Sequence, residues 1–297
     1  MTTELPTKNL AEAILKTFAF FDTFNYPLTV FEVWRLCEQK ADFSEIQNIL
    51  EEDFLASRLA QKNGFYFLRG QNEIIEHRRQ FAILAEKKMR RARLALKLWR
   101  FVPGLKGAAV CNNFYYHQES DVDVLVITDK KSLWLTRFLV TIITHFAGLR
   151  MDRKKIANQV CLSFFISEDG LNLSSLMLPD SDPYFIYWFA FLDPLYDDGV
   201  FQKFWEENQT IREKLPNASS PYFSPFRSLS GKKHWLAPEF LDKIARYFQK
   251  KRIGRRKINL DNEASGVVIS NSVLKFHEHD RRREYRCRYE ENLKKYL

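Results

Sequence analysis

Asp121 and Asp123 stand two positions apart at the head of the run Val122-Asp123-Val124-Leu125-Val126-Ile127. Side chains of a strand alternate between faces, so both carboxylates point the same way and Val122 faces the other side. Carboxylates forced together repel, and a bound divalent cation relieves that repulsion. Hard oxygen ligands suit Mg²⁺, which keeps waters and takes substrate phosphates as further ligands. A two-ion site of this kind activates an attacking hydroxyl and stabilises a leaving pyrophosphate. A bare pair of aspartates is more often two solvated side chains at a strand end. Here the surroundings add to it. A strand-like run at 106–111 precedes the pair by a short loop, and a helical pattern over 132–149 follows it.

Other chemistry-bearing motifs are weaker. His277-Glu278-His279 would share a face if extended and could hold a transition metal, but no cysteine or third histidine lies nearby in sequence. His117 reads as a solvated loop residue. There is no phosphate-binding Gly-rich loop, no G-x-S-x-G and no H-E-x-x-H.

The elements that must position the pair follow from hydrophobic spacing. Leu10, Ile14, Phe18 and Phe21 mark a first helix, ended by Pro27. Thr29 and Glu32 form a T-x-x-E capping box opening a second helix, and Ser44 with Gln47 repeats the signal for a third, running to about Phe54. Asn63-Gly64 between two short strand-like runs predicts a hairpin. Three helices and a hairpin are the plan of a winged helix, but Glu45, Glu51, Glu52 and Asp53 on the third helix would repel phosphates. Residues 71–101 read as one basic helix around an apolar stripe of Ile74, Phe81, Leu84, Ala85, Ala92 and Leu96. It is either a solvated face or one wall of an anion-binding cleft. A third strand is expected over 160–166, a Pro- and Ser-rich linker over 216–233, and helices from 238 to about 251 and from 281 onward.

Composition bounds the rest. The 297 residues suit two or three domains, and 45% hydrophobic residues suffice for a real core. A net charge of +9 favours anionic partners. Four scattered cysteines without a CxxC pair predict reduced thiols in a cytoplasmic protein. Nothing at the start reads as a signal peptide, and the apolar run 134–149 is too short and too interrupted to span a bilayer, so no membrane partner is expected.

At Ser120-Asp121-Val122-Asp123-Val124-Leu125-Val126 the chain resembles the nucleotidyltransferase superfamily related to DNA polymerase beta, whose S-D-x-D motif opens an apolar strand. Across 18–31, 133–137, 160–165, 192–196 and 274–277 it is similar to uncharacterised bacterial nucleotidyltransferase-domain proteins with a winged-helix-like N-terminal region. The resemblance implies metal-dependent nucleotidyl transfer from a nucleoside triphosphate to an acceptor that is not specified. Asp121 and Asp123 would hold Mg²⁺ and carry catalysis, and Asn112, Asn113 and Ser120 would line the phosphate site. Two features depart from the superfamily pattern. No Gly-Ser turn precedes Asp121, and 160–166 holds no third carboxylate, only Ser163 in mid-strand. A degenerate domain that binds nucleotide, nucleic acid or protein is therefore the first alternative, and a winged-helix DNA-binding regulator the second.

The resulting expectation is an α+β chain. A winged-helix-like region (1–70) leads into a linking helix (71–101), a nucleotidyltransferase-type mixed sheet with helices (102–215) and a helical C-terminal region (234–297).

Overall fold

The computed structural model describes residues 4–70, 73–111, 117–152, 156–218, 229–230, 238–255 and 266–297. The protein is mixed α+β. Its N-terminal part runs α1 (Glu4–Asp22), β1 (Leu28–Thr29), α2 (Val30–Leu36), α3 (Phe43–Leu50), α4 (Asp53–Ala56), β2 (Leu59–Lys62) and β3 (Phe65–Leu68). The three strands form one sheet in the order β1-β3-β2. The β2–β3 turn uses Asn63 and Gly64, both at positive φ (54° and 79°), as a two-residue hairpin with the right twist demands. Thr29 and Glu32 cap α2 reciprocally: the Thr29 N donates to Glu32 Oε2 and the Glu32 N to Thr29 Oγ1.

The third helix differs from expectation. It starts two residues earlier, after Asp42, whose N donates to Glu45 Oε2. It also breaks, because Glu52 adopts an extended backbone (φ −71°, ψ 148°), and a separate turn, α4, follows. The Ser44/Gln47 pair mimicked a cap that the Asp42/Glu45 pair supplies.

A 26-residue helix, α5 (Ile74–Trp99), leads to the main sheet. Its elements are β4 (Leu105–Val110), β5 (Val122–Thr128), α6 (Leu133–Phe146), β6 (Val160–Ser167), α7 (Pro183–Ala190), β7 (Asp193–Asp197), α8 (Val200–Glu207), α9 (Gln209–Arg212), β8 (Leu229–Ser230), α10 (Glu239–Arg255), β9 (Gly266–Ile269), β10 (Val273–His277) and α11 (Arg282–Tyr296). Strand order is β8-β7-β4-β5-β6-β10-β9. The β5–β6 and β7–β8 pairs are parallel and the rest antiparallel. The C-terminal region is thus not purely helical. Val267, Val268, Ile269, Val273 and Leu274 make a hairpin around Ser270, whose Oγ accepts from the N–H groups of Ser272 and Val273, and this hairpin extends the sheet beside β6.

Helices cover both faces of the sheet. Val122, Val124 and Val126 pack with Ala92, Leu96 and Trp99 of α5 and Trp134 of α6. Leu125 and Ile127, on the face of Asp123, pack with Phe185, Phe189, Phe201 and Phe204 of α7 and α8. The N-terminal core joins this body through aromatic contacts. Phe20 meets Tyr187 of α7 at 4.3 Å between ring centroids, and Phe24 meets Tyr285 of α11 at 4.9 Å. Arg282, at the start of α11, ion-pairs with Asp182 at 2.6 Å, and Asp182 also accepts from the Phe185 N of α7. Among the described residues no helix is long and apolar enough to cross a membrane.

The chain enters β4 through Gly104, at φ +76°, whose carbonyl accepts from the Asp129 N where β5 ends. A Cβ at Gly104 would lie 1.9 Å from Ser132 Oγ, whereas one at Gly64 meets nothing within 4 Å. Gly104→Ala combines backbone strain with this clash and is expected to lower unfolding stability by roughly 3 kcal/mol, against about 1 kcal/mol for Gly64→Ala. Urea denaturation measures both, and equal losses would contradict the tight packing of the Gly104 turn.

Candidate functional site

Asp121 and Asp123 lie at the N-terminal end of β5 and line one cavity of about 560 Å³. Val122 between them is fully buried on the opposite face. Three strand ends meet there. Cys111, just past β4, donates its N–H to the Asp123 carbonyl, and Cys161 of β6 is the parallel partner of Asp123. The ladder then slips between Asp123 and Leu125, leaving Leu162 and Ser163 opposite Val124. Such a bulge re-aims side chains, and here Cys161, Ser163 and Phe164 all border the cavity.

The donor atoms of Asp121, Asp123 and Cys161 lie within 4.8 Å of one another. Burial and then the neighbouring Asp123 charge push the Asp121 carboxyl up to about 6, against a weaker lowering by a hydrogen bond from the Cys161 thiol and by the Lys88 charge. Burial, then the charges of Asp123 and Asp121, raise the Cys161 thiol well above its ordinary range.

Behind the pair stands Lys88, in mid-α5 and fully buried. Its Nζ donates to the Ser120 carbonyl, which also accepts from the Asn158 N at 3.0 Å. Burial brings the Lys88 ammonium down to about 8, partly offset by Asp121 and Asp123. The Ser120 hydroxyl closes a turn by donating to the His117 carbonyl at 2.9 Å.

The facing wall comes from β10, α11 and α7. Ser163 Oγ and His277 Nε2 are 3.3 Å apart. Burial and the adjacent Lys275 hold His277 near 4, so its ring is neutral at physiological pH. Lys275 pairs with Asp280 at 3.3 Å, and Arg282 with Asp280 and Asp182 at 2.6 Å each, so two cations and two carboxylates are buried as a balanced set. Aromatic rings complete the wall: Phe185 stacks on Trp188 at 5.2 Å and Tyr184 on Tyr285 at 5.1 Å.

Of the residues named from sequence, Asp121, Asp123, Ser120, Ser163, the exposed His117 and the His277-Glu278-His279 run border the cavity. Asn112 and Asn113 lie outside the described residues. His277 and His279 do not act as a strand pair, because β10 ends at His277 and the chain bends. Sequence reasoning missed Lys88, Cys161 and the Lys275–Asp280–Arg282 set. Lys88 did carry a signal: it falls on the apolar stripe of α5, between Ala85 and Ala92. Cys161 carried none, since only strand pairing brings it beside Asp123. Neither the family models, nor the curated proteins, nor the solved structures contain a match to this chain.

Ionised Asp121 disfavours the folded state, because its folded value near 6 exceeds the ordinary 3.8. That cost is complete above about pH 6 and vanishes as pH falls through 4. Asp121→Asn is therefore expected to stabilise the cation-free protein near neutral pH by up to about 2 kcal/mol, with Asp123 remaining to offset Lys88. The gain shrinks towards zero between pH 6 and pH 4. Chemical denaturation across this range checks it; a gain that grows on acidification contradicts the assigned burial and repulsion.

Proposed function

We propose that the protein is a nucleotidyltransferase-type enzyme that transfers a nucleotidyl group from a nucleoside triphosphate to an acceptor. The observation that carries this reading is the placement of Asp121 and Asp123: two carboxylates on one face of a strand end, opening into a cavity whose far wall holds Lys275, Arg282 and aromatic rings. Two carboxylates fit a hard divalent cation, Mg²⁺ in the first instance, and a cation there would supply a lowered pKa for an attacking hydroxyl and charge compensation for a leaving pyrophosphate.

The chain's own residues have separate tasks in this reading. Asp121 and Asp123 hold the cation. Lys88 fixes the Ser120 carbonyl and thereby the turn that presents Asp121. Lys275 and Arg282, held by Asp280 and Asp182, shape the opposite wall, and the α7 and α11 aromatics would present flat apolar surface to a base or ribose. Asn112 and Asn113 remain candidates for the phosphate site. The acceptor, whether protein, nucleic acid or small molecule, is left open.

One observation favours the alternative of a binding-only domain: the strand beside β5 offers a thiol, Cys161, where a third carboxylate would complete a hard-cation site. The N-terminal part is proposed to be winged-helix-like. A DNA-reading role for α3 is disfavoured, because Glu45 on it and Glu51, Glu52 and Asp53 directly after it are all exposed.

Thermal unfolding with a nucleoside triphosphate, with and without a divalent cation, tests the reading. A ligand at a hundred times its dissociation constant raises native stability by about 2.7 kcal/mol. The wild-type protein is expected to show a rise that needs both nucleotide and cation, and the Asp121→Asn/Asp123→Asn double variant none. A cation-dependent rise that survives in the double variant would overturn the assignment of the aspartates. A full nucleotide effect together with no turnover on any acceptor class would favour the binding-only alternative.

A further inference from the structure

The proposed cation site is not built from oxygen alone. Cys161 faces Asp123 across the parallel β5–β6 pair, and its sulfur lies with the two carboxylates in one group spanning no more than 4.8 Å. The sulfur is thus placed on the same side as the two carboxylates that would share an ion. A second and independent feature is His277. Its ring borders the same cavity, and among the described residues its Nδ1 has no hydrogen-bond partner. A buried ring nitrogen left unmatched is costly, and water brought into the cavity with an ion is one way to match it.

Donor chemistry decides which ion fits. Mg²⁺ takes oxygen ligands and near-octahedral geometry, and gains little from sulfur. Zn²⁺ and Co²⁺ bind carboxylate oxygen and thiolate sulfur together, typically four-coordinate, with a position left for water or substrate in catalytic sites. Two carboxylates and one thiolate are three such ligands with an open fourth position.

We infer that this site selects a thiophilic divalent cation of the Zn²⁺ class over Mg²⁺, with the Cys161 thiolate as the third protein ligand beside Asp121 and Asp123. The inference rests on the proposed cation role of the two aspartates and changes the ion, not the site. On binding, the S–H bond of Cys161 breaks, its proton leaves to solvent, and the sulfur lone pair forms the metal–sulfur bond. No electron is transferred.

The test uses full-length protein carrying Cys287→Ser, which removes the exposed thiol. Titration with Co²⁺ is expected to produce a near-ultraviolet sulfur-to-cobalt charge-transfer band that excess Mg²⁺ does not remove and Zn²⁺ does. Adding Cys161→Ser should abolish the band and weaken Zn²⁺ binding by about tenfold or more, with circular dichroism unchanged. Zn²⁺ should also release one proton fewer from that variant. If Cys161→Ser fails to fold, Cys161→Asp serves instead; it should lose the band while binding Mg²⁺ more tightly than the parent. Co²⁺ binding without the band, or a band that persists without Cys161, overturns the inference and leaves the aspartate assignment standing. Absence of binding by Mg²⁺, Co²⁺ and Zn²⁺ alike overturns both.

Discussion

The repulsion between Asp121 and Asp123 is the constraint on which the rest of the site depends. Two partly buried carboxylates two residues apart on one strand face cannot both ionise without compensation. Lys88 supplies some of it from below, through a buried ammonium that is itself held near 8 by lack of solvent. The nearby Cys161 thiol also lowers the Asp121 value. Neither neutralises the pair, and the Asp121 carboxyl remains raised to about 6. A bound cation would relieve that repulsion, which is why the raised carboxyl in a cavity supports the proposed role.

The fold is arranged to sustain that imbalance. The β5 strand is central in the sheet and buried on both faces, so its backbone cannot shift to separate the carboxylates. One neighbour, β4, ties the Asp123 carbonyl through Cys111, and the other, β6, carries the bulge after which Phe164 joins Cys161 and Ser163 at the cavity. The C-terminal hairpin brings Lys275 and His277 opposite, and α11 adds Arg282. The positive wall keeps its own balance through Asp280 and Asp182, which lets Lys275 and Arg282 stay charged although buried. The net negative charge of the cavity is therefore concentrated at the Asp121/Asp123 end, while the facing wall is electrically balanced.

Local signals were legible in the sequence where the responsible interaction is local. The Thr29/Glu32 cap, the Asn63-Gly64 hairpin, the apolar β5 run and the long α5 helix each depend on residues within a few positions of one another. The same locality misled the reading of the third helix, where two overlapping capping pairs competed and backbone geometry at Glu52 ended the helix early. The β9–β10 hairpin went unrecognised because its β-branched runs lack a Gly-containing turn; Ser270 closes it through side-chain hydrogen bonds instead. Within the site, the carboxylate pair was readable from strand alternation. Cys161, 38 positions beyond Asp123 by residue number, and Arg282, a hundred beyond Asp182, come together only through sheet pairing and helix docking.

In the proposed function the aspartate pair would hold a cation that joins the protein to a nucleoside triphosphate. The most direct measurement is an anomalous difference map from crystals grown with Mn²⁺ and a non-hydrolysable nucleoside triphosphate. The account predicts a peak bridging the Asp121 and Asp123 carboxylates at about 2.0–2.3 Å, with phosphate density extending towards Lys275 and Arg282. An ion and nucleotide bound together elsewhere on the protein, with the aspartates untouched, would contradict it.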